Sequence, residues 1–534
     1  MKYPIGIQSF EKLREEGYVY VDKTRLIYSL THEGCVYFLG RPRRFGKSLL
    51  VSTLKSYYLG KKELFKGLAM EQLESDWKTY PVFHLDFGIG TYTNARALDQ
   101  VLDSYLSDWE AEYHIVRTGI TDFSLRFKKI IEEAHRQSGL RAVVLIDECD
   151  KPLLEVMDMR NTIEHDGVSI SYEDYNRNLL RSFYSTFKVA DEHLQFVLLT
   201  GVTKFSQVSV FSDFNQPSDI SMSPRYDSIC GITEDEMQEY FSEPIAEMAK
   251  HYHCSETEMV KMLKKQYDGY HFSDLMQGVF NPYSLLNALV NQRMQDYWFR
   301  TGTPSYLIRL LNHFHENLDK MTGKYYMASQ FVDYRADVEM PLPMIFQSGY
   351  LTIKEYDVDT NAFLLDFPND EVKRGFVTLL TNNYLQPKED INSWMSNAVS
   401  NLKHGDLETF REQLTAFLAS IPYTMRRKDN EREKERYFQY TFYLLLRLLS
   451  TYLVYTEKVQ SQGRVDCVIE TPKYVYIFEF KLDGTADAAL RQIAEKGYQR
   501  EYATDDRKVY QIGCSFSSET GTIDDWRVCE SENA

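Results

Sequence analysis

Short apolar runs alternate with amphipathic stretches over the first two hundred or so residues of the chain. We expect the apolar runs to form strands and the amphipathic stretches to form helices, because this alternation is typical of a parallel α/β sheet. The predicted strands are Cys35–Leu39, Val82–Phe87, Ala142–Ile146 and Gln195–Thr200, and the predicted helices are Lys47–Tyr58, Ala95–Glu112, Ser124–Gln137 and Tyr172–Ala190. The N-terminal part is therefore predicted to be an α/β domain.

The pattern becomes mainly helical between about residues 233 and 366, with short strands predicted at Leu351–Tyr356 and Phe363–Asp366. This combination predicts a helical lid or a winged-helix-like module. A further helical stretch covers about residues 370 to 417, and a charged segment then leads into the last part of the chain. We therefore predict four domains, at residues 1–232, 233–369, 370–424 and 425–534.

The composition indicates a globular protein of a reducing compartment. The seven cysteines are scattered and never spaced as CxxC, which argues against a disulfide framework and a zinc ribbon. The most apolar run, from Tyr443 to Tyr455, is interrupted by Arg447 and is too short to cross a bilayer. We expect a cytoplasmic protein with no membrane partner.

The net charge of −17 disfavours, at first sight, a nucleic-acid partner. The charge is uneven, because residues 425–534 contain 17 basic and 19 acidic residues and the preceding part carries most of the excess. The charge therefore argues against a protein that coats DNA non-specifically over a broad surface. It argues less against a nuclease that binds DNA through a local basic groove.

A loop that suits phosphate binding follows the first predicted strand, where residues 40–48 read GRPRRFGKS. In a P-loop the backbone N–H groups and the N-terminus of the following helix hold phosphates. ATP would bind at Gly46, Lys47 and Ser48, with Lys47 reaching the β- and γ-phosphates and Ser48 ligating Mg²⁺. The alternative is an ordinary basic turn between a strand and a helix.

Three arginines distinguish this loop from the standard motif. Arg41 stands where the standard spacing has glycine, and Arg43 and Arg44 follow it. We expect all three to add positive charge near the phosphates.

Two acids, Asp147 and Glu148, follow the predicted strand Ala142–Ile146. In a P-loop ATPase the aspartate supports the Mg²⁺ shell and the glutamate polarises the attacking water. The spacing of 100 residues from the P-loop lysine favours this Walker B interpretation over a solvated acidic turn. Thr200 or Thr203, after the next strand, would sense the γ-phosphate, although threonine is common at strand ends.

The segments 463–466 (GRVD) and Tyr476–Lys481 predict a hairpin near the C-terminus. Residues i and i+2 of a strand share a face, so Glu479 and Lys481 point the same way while Phe478 and Phe480 face a core. Together with Asp466 they supply the two carboxylates and one lysine that metal-assisted phosphodiester hydrolysis requires. The alternative is a surface sheet with a Glu/Lys pair.

Several short segments along the chain together carry a resemblance to known proteins. They are YPIGIQSF (3–10), YVDKT (20–24), RPRRFGKS (41–48), YDGY (267–270), NPYS (281–284), YWF and TGTP (297–304) and QSGYL (347–351). With them the chain resembles, over nearly its whole length, a bacterial AAA-ATPase-like family. Members of this family typically carry a C-terminal PD-(D/E)XK nuclease-superfamily domain. The resemblance implies a P-loop NTPase parallel sheet, a restriction-endonuclease-like α/β domain at the C-terminus, and an arginine at position 41 as a family trait.

The resemblance also implies roles for residues of the last domain. Asp466 matches the first acid of the nuclease pattern, Glu479 the second acid and Lys481 the lysine, while Val465 replaces the usual proline. Gln492, on the predicted helix Ala486–Lys496, matches a glutamine that holds the active site in one branch of the superfamily, and Tyr498 is a weaker match.

An additional metal-ligating acid occurs in many relatives. Glu435 would supply it, in competition with Glu433, Glu457 and the alternative of a solvated charged face.

The leading hypothesis is an ATPase whose nucleotide state governs a nuclease that cuts DNA or RNA with Mg²⁺ or Mn²⁺. The second hypothesis is a nucleotide-switched regulator, or a nucleic-acid-binding protein, whose nuclease-like domain is inactive. A homo-oligomer fits either hypothesis, and both rest on analogy at the level of the fold.

Overall fold

The computed structural model divides the chain into two compact units, Met1–Val372 and Lys373–Ala534. It describes residues 2–116, 119–157, 159–165, 167–204, 217–301, 307, 321–332, 341–388, 390–421, 440–441, 444–445, 447–449, 467–503 and 505–530. Within these residues no helix combines the length and the apolar character needed to cross a membrane.

The first 204 residues alternate helices and strands, as the apolar pattern predicts. The helices are α1 (Phe10–Glu15), α2 (Thr24–Glu33), α3 (Lys47–Tyr58), α4 (Ala69–Leu73), α5 (Ala97–Glu112), α6 (Phe123–Ser138), α7 (Lys151–Leu154) and α8 (Tyr172–Val189), and the strands are β1 (Val36–Gly40), β2 (Val82–Asp86), β3 (Ala142–Asp147), β4 (Thr162–His165), β5 (Val168–Ser171) and β6 (Leu194–Gly201). Every predicted strand and helix of this region is confirmed to within two residues at each end.

A sheet of parallel strands forms the centre of the first unit, in the order β2-β3-β6-β1-β7, where β7 is Ser218–Asp219. The strand β3 is buried along its whole length, as its continuous apolar run predicts for a parallel sheet covered on both faces. The strand β6 lies between β1 and β3, since Leu199 pairs with both Phe38 and Ile146. The polar residues that follow β1, β6 and β3 therefore emerge at one edge of the sheet.

The second half of this unit contains a helical layer and a small antiparallel sheet. The helices are α9 (Glu234–His251), α10 (Glu256–Tyr267), α11 (Pro282–Asn291) and α12 (Leu342–Gln347), and the strands are β8 (Lys324–Met327), β9 (Thr352–Asp357) and β10 (Ala362–Asp366), in the order β8-β10-β9. The predicted strands Leu351–Tyr356 and Phe363–Asp366 correspond to β9 and β10. The N-terminal residues Tyr3 and Ile5 pack against the core of α9, α10 and α11.

The second unit is built on a mixed sheet. Its helices are α13 (Asp370–Leu385, which begins just before the unit boundary), α14 (Ile391–His404), α15 (Leu407–Ser420) and α16 (Ala486–Lys496), and its strands are β11 (Cys467–Glu470), β12 (Tyr474–Leu482), β13 (Lys508–Phe516) and β14 (Ile523–Glu530). The sheet order is β11-β12-β13-β14, with β12 and β13 parallel and the other pairs antiparallel.

Alternate residues of β12 face opposite layers of the second unit. Val475 and Ile477 pack in a core with Ile493 of α16. On the other face the Tyr476 hydroxyl donates to the carbonyl oxygen of Leu402 in α14, and the Phe478 ring lies 6.3 Å from the Phe410 ring of α15. This alternation places Glu479 and Lys481 on the α16 face.

The predicted division of the chain into four domains, at residues 232, 369 and 424, stays a prediction.

A buried ion pair ties the segment before α2 to α9. Lys23 Nζ donates to both carboxylate oxygens of Glu236 at 2.6 Å, and the side chains are 10% and 20% exposed. Glu236 also closes the capping box at the start of α9, because its carboxylate accepts from the backbone N–H of Thr233. The pair therefore supports both a helix start and the packing of the N-terminal segment.

Replacement of Lys23 by alanine is expected to lower the free energy of unfolding by about 3 kcal/mol, because it leaves the Glu236 carboxylate half-buried without its partner. Urea denaturation of the full chain measures this change. The control is Lys61→Ala, which removes the more exposed pair with Glu11 (36% and 45% exposed) and should cost less than about 1 kcal/mol. Equal costs for the two variants would contradict a stabilising role for the buried pair.

Candidate functional sites

The loop between β1 and α3 ends in a backbone conformation suited to phosphate. Gly46 has φ +95° and lies at the N-cap of α3, and a Cβ built on it would meet no described atom within 4 Å. A side chain there would be strained and would occupy the open space in front of the helix N-terminus. The N-terminus of a twelve-residue helix favours an anion in that space.

Lys47 is the first residue of α3 and is 7% exposed. Its ammonium group donates to the carbonyl oxygens of Arg41 (2.8 Å) and Pro42 (3.1 Å) in the loop itself. Burial lowers the pKa of Lys47, whereas Asp147 and then Asp150 act in the opposite direction. Lys47 therefore lies within the electrostatic reach of the acids that follow β3.

The three loop arginines do not act alike, which corrects the expectation for one of them. The Arg41 guanidinium is 1% exposed, donates to the carbonyl oxygens of Ser221 (2.7 Å) and Tyr226 (3.0 Å), and lies 3.9 Å from the centre of the Phe272 ring. Arg41 thus anchors the loop to the protein interior, because its side chain finds carbonyl acceptors there. Arg43 and Arg44, in contrast, are exposed.

The two predicted polar residues of β3 and β6 are in direct contact. The Thr200 hydroxyl donates to Asp147 Oδ1 at 2.5 Å, and both residues are buried, at 0% and 3% exposure. The same oxygen accepts from the backbone N–H of Glu148 at 3.1 Å. The Asp147 carboxylate is therefore held in a fixed orientation, and in this conformation the Thr200 hydroxyl is engaged in holding it.

Glu148 adopts a left-handed backbone conformation with φ +52°, which is uncommon for a residue with a side chain. Burial raises its pKa, and the neighbouring Lys47 acts against this shift. A carboxylate with a raised pKa is a stronger base than a solvated one, so Glu148 suits proton abstraction from water.

Asp86 is a further acid at this edge of the sheet that the sequence motifs do not identify. It is the last residue of β2 and pairs in register with Asp147. A Cβ built on Gly88 would lie 2.7 Å from Asp86 Oδ1 and 3.3 Å from Glu148 Oε2, so the two carboxylates flank this glycine. The only sequence signal is an aspartate that interrupts a predicted apolar strand.

Residues far along the chain also touch the loop. The Trp298 indole donates to the carbonyl oxygen of Arg43 at 3.2 Å. Gly349, with φ +87°, is so close to Pro42 that a Cβ would lie 2.6 Å from the proline Cβ. The motifs YWF and QSGYL of the sequence therefore contribute to the conformation of the loop.

The residues at this edge fit a nucleotide with a divalent ion. Gly46 leaves open space at a helix N-terminus, Lys47 has an ammonium group next to it, and Ser48 is half-buried in the first helical turn. Hydroxyl and carboxylate oxygens, as in Ser48 and Asp147, are the ligands that Mg²⁺ prefers.

A second polar cluster lies on the α16 face of β12 in the second unit. Lys481 Nζ is 3.2 Å from Glu479 Oε1 and 2.6 Å from Gln492 Oε1. The Glu479 side chain is 2% exposed, whereas that of Lys481 is 29% exposed. The structure therefore brings these three sequence-predicted residues together, with the lysine next to solvent.

Asp466 and Glu435, the other predicted metal ligands, lie outside the described residues. Asp466 directly precedes Cys467, which pairs with Phe478, the neighbour of Glu479. Among the described residues there is no group of three or more His, Cys, Asp or Glu side chains arranged to hold a metal ion.

Tyr498 is 1% exposed and packs with Val468, Ile477 and Ile493 in the core of the second unit. The structure therefore assigns it to packing, and its ring is enclosed by apolar side chains rather than placed on the surface beside Lys481.

Two segments of the chain match known protein families. Residues 4–211 match a family described as a predicted AAA-ATPase, and residues 433–526 match the PD-(D/E)XK nuclease superfamily. An uncharacterized protein from the vnfD 5′ region of Azotobacter chroococcum mcd 1 is 33% identical over 531 residues, which cover 98% of each chain. The similarity to this protein therefore extends over both matched segments and the part between them.

Glu371 is a buried acid that supports the Trp298 contact with the loop. It is 1% exposed, and its Oε1 accepts from the backbone N–H of Trp298 at 2.6 Å. Burial raises the pKa of Glu371 from 4.5 to about 7, so the folded protein keeps a proton that the unfolded chain loses between these pH values. Its contribution to stability therefore falls as the pH rises from about 4.5 to about 7.

Replacement of Glu371 by glutamine should remove this part of the pH dependence. Relative to Glu371→Gln, we expect the unaltered protein to lose up to about 3 kcal/mol of stability between about pH 4.5 and about pH 7. Urea denaturation at several pH values measures the difference, and Asp370→Asn, which changes a neighbouring and more exposed acid, is the matched control. Parallel stability curves for the unaltered protein and Glu371→Gln would contradict this assignment.

Proposed function

Because the chain belongs to the family of predicted AAA-ATPases that carry a PD-(D/E)XK nuclease-superfamily domain, as its sequence motifs predict, we propose that it is an ATP-hydrolysing protein whose nucleotide state controls a metal-dependent nuclease. The observation that carries the proposal is the meeting of Lys47, Asp147 and Glu148 at one edge of the parallel sheet. These residue types are the ones that phosphoryl transfer needs.

In the proposed hydrolysis ATP supplies the phosphoanhydride bond and Mg²⁺ acts as a Lewis acid on the phosphate oxygens. Lys47 would exchange its two carbonyl acceptors for phosphate oxygens, whose negative charge attracts the ammonium group more strongly than a neutral carbonyl oxygen does. Ser48 and Asp147 would hold the ion. Glu148 would take a proton from the attacking water, a role that its raised pKa favours. Arg43 and Arg44 would offset phosphate charge from the exposed side.

In the proposed nuclease site Glu479 and Asp466 would hold Mg²⁺ or Mn²⁺. Asp466 would come close to Glu479, because in the sequence it directly precedes Cys467, the first residue of β11, which pairs with Phe478. Lys481 would offset the negative charge that develops on the scissile phosphate, and the Gln492 amide would position its ammonium group. The proposed substrate is DNA or RNA. The role of Glu435 as an additional metal ligand stays a prediction. So do the cytoplasmic location and the homo-oligomeric state.

ATP turnover by the purified full chain tests the first half of the proposal. Lys47→Ala should abolish ATP binding. Glu148→Gln should retain ATP binding while hydrolysis falls by about 10²- to 10⁴-fold, because the amide cannot accept the proton. Lys61→Ala, a change of an exposed lysine outside the loop, is the control for the lost charge. Undiminished turnover in Lys47→Ala would exclude this site as the ATPase site.

Cleavage of labelled single- and double-stranded DNA and of RNA, with Mg²⁺ or Mn²⁺ and with or without ATP, tests the second half. Asp466→Ala and Glu479→Gln should abolish cutting, and Lys47→Ala should change its dependence on ATP. Gln492→Ala should reduce cutting by about tenfold, since the amide positions Lys481 without touching the substrate.

The matched control for Gln492→Ala is Glu495→Ala, an exposed residue of the same helix. Cutting that persists in Asp466→Ala would identify a contaminating nuclease. If no condition produces cutting while ATP still binds, the nucleotide-switched regulator with an inactive nuclease-like domain becomes the better explanation.

A further inference from the structure

Asp150 is a buried acid that the sequence motifs do not assign to the nucleotide site. It is 4% exposed and lies at the N-cap of the short helix α7. Aspartate at such a position usually accepts a hydrogen bond from its own helix. Among the described residues the Asp150 side chain makes no such cap, so the carboxylate is directed elsewhere.

The Asp150 carboxylate instead reaches the segment that follows β6. Its Oδ2 accepts three hydrogen bonds, from the backbone N–H of Val202 (2.9 Å), the backbone N–H of Thr203 (2.6 Å) and the Thr203 hydroxyl (2.9 Å). The approach leaves no room for a side chain at Gly201, where a Cβ would lie 2.8 Å from Asp150 Oδ1. Hydrogen bonds to an ionised acceptor are stronger than neutral ones, so this contact holds the segment firmly.

The contact of Asp150 has a counterpart at Asp147, three residues earlier. Asp147 is held by the Thr200 hydroxyl, and Asp150 is held by Thr203. Glu148 lies between these two anchored carboxylates, in its left-handed conformation. Such a conformation persists only where the surrounding structure imposes it, and the two anchors to the end of β6 do so.

The same segment continues to the P-loop. The carbonyl oxygen of Gly201 accepts from the backbone N–H of Arg41 at 3.1 Å, and Arg41 in turn offers its carbonyl oxygen to Lys47. One series of hydrogen bonds therefore connects the Asp150 carboxylate, the end of β6 and the loop that holds Lys47. Movement of the Asp150 anchor would alter the position of Glu148 relative to that loop.

We propose that Asp150 is a positioning residue for ATP hydrolysis, which fixes the Glu148 carboxylate relative to the P-loop by binding the end of β6. This inference rests on the proposed ATPase function and assigns to that site a residue that touches neither nucleotide nor metal. In Asp150→Asn the side-chain shape is kept, but the charge that attracts three donors to one oxygen is lost. Val202 and Thr203 are then held less firmly, and Glu148 loses one of its two anchors.

The experiment compares Asp150→Asn with the unaltered full chain in three measurements: the turnover number for ATP, the dissociation constant for a fluorescent ATP analogue, and amide hydrogen exchange in peptides covering residues 194–204. We expect turnover to fall by about 10- to 100-fold with a dissociation constant changed less than about threefold, and exchange of the Val202 and Thr203 amides to become faster. Thr203→Val, which removes one donor and keeps the side-chain shape, should show a smaller fall of the same kind.

The matched control is Asp122→Asn, because Asp122 also accepts a backbone N–H, from Leu125 at 2.9 Å, at the start of α6 and outside the nucleotide site. It should leave turnover unchanged. Normal turnover or normal exchange in Asp150→Asn would overturn the inference while leaving the proposed ATPase intact. A parallel loss of turnover, nucleotide binding and thermal stability in both Asp150→Asn and Thr203→Val would overturn it in favour of a purely structural role. Absence of turnover in the unaltered protein would overturn the proposed function and this inference together.

Discussion

The ammonium group of Lys47 is buried at the edge of an apolar parallel sheet, where a charge is costly unless polar groups surround it. Two carbonyl oxygens of its own loop accept hydrogen bonds from it, and the acids after β3 favour its charged form. These acids are separated from β1 by the whole strand β6, so the compensation works only if β6 brings the ends of β1 and β3 into reach. The order of the sheet is therefore a condition for a charged lysine in this loop. Thr200 and Thr203, at and just after the end of β6, hold two of these acids by hydrogen bonds to Asp147 and Asp150.

Arg41 is a second buried cation of the loop, and it is stabilised in a different way from Lys47. Its acceptors are backbone carbonyl oxygens and the face of Phe272, with no described carboxylate within ion-pair distance of it. A planar guanidinium with five donors suits several carbonyl groups at once, which a lysine ammonium does less well. A glycine at this position would leave the loop without that attachment to the segment after β7. The packing of Arg41 against the protein interior thus explains the departure from the standard P-loop spacing. This packing does not involve the N-terminus of α3, where a phosphate would bind.

The sequence predicted those features that depend on local periodicity. The bounds of α3 and α16 are those that the apolar spacing predicts, and Glu479 meets Lys481 because residues two apart in a strand share a face. The strand β8 was not predicted, since its residues are largely exposed and show little apolar alternation. The direction of the Arg41 side chain, the contact of Trp298 with Arg43 and the reach of Asp150 to Thr203 could not be predicted. Each of them joins segments that are far apart in the chain, and no pattern within one segment contains that information.

The two candidate sites therefore differ in what their geometry depends on. Lys481 is positioned by Glu479 on its own strand and by Gln492 on the next helix, so a hairpin and one helix are sufficient to place it. Lys47 and Glu148 are brought together by three strand ends, and the loop is also touched by Trp298 and Gly349 from the helical layer. A change in that layer can reach the P-loop through the Arg43 carbonyl or the Pro42 ring without altering any residue that would touch the nucleotide. The contacts of Trp298 and Gly349 thus connect the helical layer to the first site, whereas the described contacts that place Lys481 all come from β12 and α16.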